Sequence, residues 1–428
     1  MMTYPVWMDC DVLVVGGGPA GTMAGVAAAR AGACAVILES NGFLGGNLTA
    51  AGIDTMYGLY TVDENPQPVI GGLVSELIDR MKMRGACYLR KNTYGAGSGM
   101  TMALEDLKIV LEEMALEAGA RLLYHTMMPE MVVEEGSPTA AVTASKNGLQ
   151  QIRAKAFIDC SGDADVVARS GGPFEKPGEV GPVQSCTTVF FMANVEMDRY
   201  KAFGKQAMWD AMEAAVKSGK YNLPRIEGSF HATPEKTLIE ANMTRIRNVD
   251  TINTEEVTQA EITGRKQVQE YVRFLKENVP GFEKAYLVQT GSHIGVREGR
   301  RAVGEYVLTR DDVLEGRRFD DAVLRCGQPI EDHHAGSDTV WGYVHEHGYY
   351  DIPYRCLVPR GLENVWVAGR CLSATHDAHA SARSSATAMA MGQAAGQAAV
   401  IAIEQRIAAR DVNIQALQSV LRKNGALI

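Results

Sequence analysis

The chain has 428 residues, 46% of them hydrophobic and 22% charged, enough for two or three domains around a sizeable core. A net charge of -9 without any strong basic run argues against nucleic acid as a partner. Eight cysteines with no CxxC spacing argue against a zinc site, a redox dithiol or a disulfide framework.

The first residues lack a basic region followed by an apolar stretch, so no signal peptide is expected and a cytoplasmic location is. Asp11 to Val15 is an apolar run stopping at glycine, as a buried parallel strand does. Ala20 to Ala31 reads as a helix ending near Gly32, and Cys34 to Leu38 as a second buried strand. Together they form one βαβ unit.

Downstream, Leu73 to Arg84 reads as a helix. Leu104, Leu107, Leu111, Met114 and Ala118 recur at helical spacing before Gly119. Arg121 to His125 reads as a strand, and Asn147-Gly148 marks a hairpin between Ala140 to Ser145 and Gln151 to Phe157. After about residue 186 the character changes. Helical stripes at Met208 to Val216 and Val268 to Val279 lie among denser charge, as in a separate substrate-facing domain. Val365 to Ala368 returns to a strand. A small-residue helix follows from about Ser384, with Gly392 and Gly396 one turn apart. Gln393 and Gln397 break that apolar run, and it lacks basic anchors, so it reads as a poor membrane span.

The chemistry begins at Gly16-Gly17-Gly18-Pro19-Ala20-Gly21, a GxGxxG turn between strand and helix, with Glu39 closing the next strand. Gly16 allows the tight turn, Gly18 lets a pyrophosphate approach, and Gly21 lets the helix pack on the sheet. The helix N-terminus favours the anion, and Glu39 can accept from ribose hydroxyls. A dinucleotide site is therefore expected.

Gly45-Gly46, shortly after Glu39, make the chain resemble FAD-dependent oxidoreductases related to glutathione reductase and fumarate reductase. Residues 157–165 (FIDCSGDAD), 367–373 (VAGRCLS) and 392–396 (GQAAG) look like segments of one bacterial subgroup, the FAD-dependent oxidoreductase family. Residues 293–301 and 351–355 are also similar, although Gly299 departs from the usual pattern before Arg300 and Arg301. These matches run from about residue 9 to 403.

The resemblance implies an α/β fold: a Rossmann-like FAD-binding domain of glutathione reductase type with an inserted α+β substrate domain. The expected division is a first FAD-binding part at 1–62, a glycine-rich connection at 63–100 and a second FAD-binding part at 101–185. A substrate or cap domain at 186–349 and a last FAD-binding part at 350–428 complete it. Expected cofactor residues are Gly16, Gly18, Pro19, Ala20, Gly21, Glu39, Ser40, Gly45, Gly46, Asn47, Ser161, Gly162, Gly369, Arg370, Ser384 and Ala386. The N-terminal amides of the last helix could point at the flavin and stabilise its anionic reduced form.

A flavin performs the redox step, so the protein must supply orientation and a proton carrier. Six of the nine histidines follow residue 330. His376 and His379, just after Gly369-Arg370, are the expected acid or base, with structural hydrogen bonding as the competing reading. Arg297, Arg300, Arg301 and Arg383 are candidates for holding a carboxylate or another polar group, and Arg297 also for proton delivery. Residues 331–334 (EDHH) and 345–347 (HEH) could suggest a metal, but neighbours on a strand face opposite ways, so none is expected. Trp341, Tyr343 and Tyr349 read as core or pocket lining.

The expected activity is hydride transfer between a small polar organic substrate (an alcohol, sugar, hydroxy acid or amine) and FAD. The alternatives are a flavin monooxygenase or a flavin-bearing electron-transfer subunit of a complex. The expected partner is a small molecule, with no nucleic acid and no membrane. Homo-oligomerisation stays open.

Overall fold

Short apolar runs ending at glycine or a polar loop build the central sheet. The computed structural model describes residues 4–91, 95–236, 238–334 and 339–428. Five parallel strands run in the order Arg121–Leu123, Ala35–Leu38, Val6–Val15, Gly148–Asp159 and Val365–Val367. The middle strands are buried on both faces, which is why they read as unbroken apolar runs rather than alternating ones. This is a mixed α/β, Rossmann-like arrangement.

The hairpin forms with Ser145 opposite Gly148, leaving Lys146-Asn147 as the two-residue loop. Its partner, Met127–Glu134, adds a further antiparallel strand that the sequence reading had not resolved.

Helix Pro19–Arg30 covers one face of the sheet and packs on helix Ser385–Gln405. The two backbones are so close that a Cβ on Gly392 would lie 2.0 Å from the Ala20 carbonyl oxygen, and one on Gly396 2.4 Å from that of Ala24. The two glycines one turn apart therefore form the seam between the first and last long helices. Ser385–Gln405 is long and apolar enough to cross a membrane, yet most of it is buried in this seam.

Residues 186–296 carry apolar clusters of their own. Four antiparallel strands lie in the order Ser229–Ala232, Leu238–Asn242, Phe190–Ala193 and Tyr286–Thr290. Helix Thr254–Asn278 buries Val268, Tyr271, Phe274 and Leu275 against them. The Asn253 side chain caps it by accepting from the Glu255 and Glu256 amides. The helix is much longer than the 268–279 stripe, because its first half shows little apolar periodicity.

The expected cap boundary at 349 lies too far along the chain. Leu308, Val323, Leu324, Cys326, Ile330 and Val344 join the main cluster with Ser385–Gln405. Their apolar side chains need the large core, so the separately packed segment ends near residue 296.

Candidate functional site

The turn after Val6–Val15 is held by its own backbone. Gly16 N donates to the Leu38 carbonyl at 2.9 Å, and Gly16 takes φ +101°, a region a side chain would strain. Glu39 Oε2 accepts from Gly17 N at 2.9 Å, while Oε1 takes Asn41 N at 2.8 Å. A carboxylate oxygen accepts two hydrogen bonds, so Oε2 keeps one lone pair for a ligand hydroxyl.

A cavity of about 820 Å³ opens at this turn. Gly16, Gly18, Pro19, Ala20, Glu39 and Ser40 line it, followed by Gly46, Asn47, Ser161 and Gly162. Gly369, Arg370 and Ser384 come from the far end of the chain to complete this part. Three expected cofactor residues are not among its lining. Gly21 lies behind the turn, with its Cα side against the Gly16 carbonyl. Gly45 binds Gly17 backbone to backbone at 2.9 Å, which holds the loop rather than a ligand. Ala386 is fully buried beneath the helix start, while Ser385 and Ala388 face the cavity.

The lining fits a dinucleotide. Arg370 Nη2 donates to Asp163 Oδ2 at 3.2 Å, but Nη1 is buried with no partner among the described residues. A spare guanidinium donor beside a glycine turn and a helix N-terminus suits a pyrophosphate. Thr126, Met127 and Met128 also line the cavity, and the sequence reading missed them. They follow the parallel strand Arg121–Leu123. The rule that ligands bind beyond the carboxyl ends of parallel strands could have found them.

The histidines expected to act are elsewhere. Neither His376 nor His379 lines the cavity. His379 is fully buried, with Nε2 2.7 Å from the Arg370 carbonyl; burial, with Arg301 and Arg383 nearby, keeps it neutral. His376 bridges Glu298 (2.9 Å) and Asp332 (3.2 Å). The short helix His376–Ala382 aims both rings away from the cavity, which proximity in sequence to Gly369-Arg370 does not disclose.

His376 carries a testable consequence. Burial disfavours its charged form, but its hydrogen bonds to the Asp332 and Glu298 carboxylates outweigh this and raise its pKa to about 9. A raised folded pKa gives stability that is fully present below the unfolded value, near 6.5, and lost as pH climbs through about 9. The melting temperature should therefore fall by a few degrees between those pH values. His376→Gln should melt lower at pH 6 and lack that extra decline; an unchanged pH slope would refute the pairing.

The polar end of the cavity lies against the four-stranded sheet. Alternation along two strands sends Phe230, Ile239 and Ala241 into the apolar cluster, and Ser229, His231, Glu240 and Asn242 into the cavity. The register sets His231 directly opposite Glu240. His231 Nε2 lies 2.8 Å from Asp54 Oδ1 and Nδ1 3.3 Å from Glu240 Oε2. Burial, then the nearby Asp54 charge, push the Glu240 pKa well up, which favours its protonated form. The imidazole meets the two carboxyl groups through opposite nitrogens. Arg90, donating to Thr55 and Tyr57, adds a positive charge beside them. Arg90 and the relay residues escaped the sequence reading. Only the period-two pattern of residues 229–232 and 239–242 signalled them.

Of the arginines, Arg297 and Arg383 line the cavity. Arg300 is paired with Asp165, and Arg301 with Glu298 and Glu175, so both serve the framework. Glu331 and His333, two apart on an extended segment, also face the cavity and meet at 3.1 Å. Burial would raise the Glu331 pKa, but His333, Arg383 and Arg297 hold it at about 2. Asp332 points the other way, to His376. The 3-10 turn His345–His347 is not among the lining, and Trp341, Tyr343 and Tyr349 are not either.

The family model described as FAD dependent oxidoreductase matches residues 11–421. Digeranylgeranylglycerophospholipid reductase 2 of Methanopyrus kandleri is 27% identical over 194 residues, 45% of this chain and 46% of that protein. Thiamine thiazole synthase of Methanococcus aeolicus is 29% identical over 192 residues, 42% of this chain and 66% of that protein. The chain thus spans about half to two-thirds of the length of these curated relatives. Among solved structures, a geranylgeranyl bacteriochlorophyll reductase-like protein from Thermoplasma acidophilum superposes with a TM-score of 0.49 at 15% identity, covering 97% of this chain and 84% of that one.

Proposed function

Since the chain belongs to the FAD dependent oxidoreductase family, we propose that it transfers a hydride between a small polar organic substrate and FAD. The supporting observation is a single cavity running from the glycine turn to the polar face of the four-stranded sheet. When bound, FAD supplies the two-electron acceptor or donor. Gly16, Gly18, Glu39, Gly46, Ser161 and Arg370 would hold it, with Ser384 and Ser385 at the helix N-terminus.

The protein's part in the reaction is to orient and to move a proton. In the oxidative direction, His231 takes the proton from the substrate hydroxyl or amine. Asp54 fixes the ring through Nε2 by its 2.8 Å contact, and the substrate group displaces Glu240 from its longer 3.3 Å contact at Nδ1, which leaves that nitrogen to accept the proton. A geranylgeranyl lipid, named for one relative, would leave this lining of charged groups unmatched. A compact polar substrate matches it.

The test is anaerobic titration of the FAD-loaded protein with polyols, sugars, hydroxy acids and amines, watched at the flavin band near ~450 nm. Bleaching by one class is the expected result. If no compound bleaches the band, while an aromatic ligand stimulates NADPH oxidation with oxygen consumption, a monooxygenase replaces this reading.

A further inference from the structure

We infer that the substrate end of the cavity is a carboxylate-binding site formed by Arg297 and Arg383, which narrows the substrate to a hydroxy or amino acid. This rests on the proposed function above for the role of that cavity end.

A guanidinium has five N–H donors and is costly to bury without an anion. Arg297 makes one hydrogen bond among the described residues, from Nη1 to the Ser185 carbonyl at 2.7 Å. Arg383 donates through Nη2 to Gln184 Oε1 and to the Glu331 carbonyl, each at 3.2 Å. Its Nε is buried with no partner, and so is the neighbouring Gln184 Nε2. Among the described residues, neither arginine forms a salt bridge. The other arginines near the turn do: Arg300 with Asp165, Arg301 with Glu298 and Arg370 with Asp163.

The local charge is also out of balance. Arg297 and Arg383 line the same cavity, with Glu331 as the carboxylate beside both. Burial and the Arg297 charge keep His333 neutral. Glu298 and Asp332, whose charges also reach Arg383, are already engaged by Arg301 and His376. Burial first, then the Arg383 charge, brings the Arg297 pKa down to about 9, and Glu331 offsets this only in part. A carboxylate would supply a further counterion and accept from the spare donors in a forked geometry. A neutral polyol or sugar would not. The same cavity contains the His231 relay, which serves a hydroxyl or amine.

The experiment uses the FAD-loaded full chain, with malonate as the charged probe and malonamide as its neutral counterpart. Binding is read by tryptophan fluorescence and by melting temperature, and bound FAD is measured in parallel. Malonate should bind saturably and raise the melting temperature, with malonamide about 10–100-fold weaker. Arg297→Gln and Arg383→Gln should each weaken malonate by about 10–100-fold while FAD stays stoichiometric, and Arg297→Lys should recover part of the loss. Equal binding of the two probes, or no binding of malonate, overturns the inference. So does loss of FAD instead of malonate affinity in the glutamine variants, which would assign the arginines to the cofactor. Malonate binding that persists when no hydroxy or amino acid bleaches the flavin would refute the hydride reading and leave the anion site standing.

Discussion

Gly21→Ala is expected to cost the protein about 10–100-fold in FAD affinity. A Cβ at this position would lie 1.7 Å from the Gly16 carbonyl oxygen and 3.1 Å from the Cys160 side chain. The first obstacle is backbone, so no rotamer change relieves it. Helix Pro19–Arg30 would have to lift, or the turn at Gly16 to open. Opening breaks the 2.9 Å bond from Gly16 N to Leu38 and displaces Gly17 from Glu39. Overpacking of this kind costs ~1–3 kcal/mol, and each ~1.4 kcal/mol is a factor of ten. FAD per chain after gel filtration, and the dissociation constant from flavin fluorescence quenching, measure the loss. Gly119→Ala is the control: its φ of +86° gives it strain, but nothing lies within 4 Å of the new methyl group. Wild-type FAD affinity in Gly21→Ala would mean that the turn yields more easily than its geometry indicates.

His231→Gln should lower the rate of flavin reduction by substrate about 10²–10⁴-fold with FAD content intact. Glutamine can keep a hydrogen bond toward Asp54 but cannot carry the proton. Asp54 is 2% exposed and Glu240 4%, so water is a poor replacement for the ring. Asp54→Asn should give a smaller loss, because the imidazole remains but its orientation weakens. A rate within about threefold of wild type in His231→Gln would remove His231 from the reaction.

The two ends of the cavity were legible to very different degrees. The glycine turn, the buried strands and Glu39 are adjacent in sequence, and each carries a local physical signature. Even there, Gly21, Gly45 and Ala386 proved to support the site from behind, since sequence shows spacing but not which side of a backbone faces a ligand. The polar end depends on register between strands 229–232 and 238–242, and on Asp54 arriving from a loop nearly 180 residues away. Alternation of Phe230 with His231, and of Ala241 with Glu240, was visible. Which face meets a cavity is decided only by tertiary packing. The crowding of histidines after residue 330 misled for the same reason: side-chain direction in a short helix such as His376–Ala382 does not follow from closeness along the chain. Arg297 and Arg383 stood among four candidates, and only the pairing of Arg300 and Arg301 with carboxylates separated them.

The glycine seam has a bearing on how the protein is made. The fifth parallel strand begins at Val365, Arg370 follows it, and Ser385–Gln405 closes on Pro19–Arg30 through Gly392 and Gly396. During synthesis the first helix therefore waits until Ser385–Gln405 has been made before its alanine face is covered. A nascent chain stalled before residue 365 holds the glycine turn but neither Arg370 nor the second helix. Flavin capture is thereby tied to synthesis past Gln405, and the uncovered face of Pro19–Arg30 is the surface a chaperone would have to shield until then.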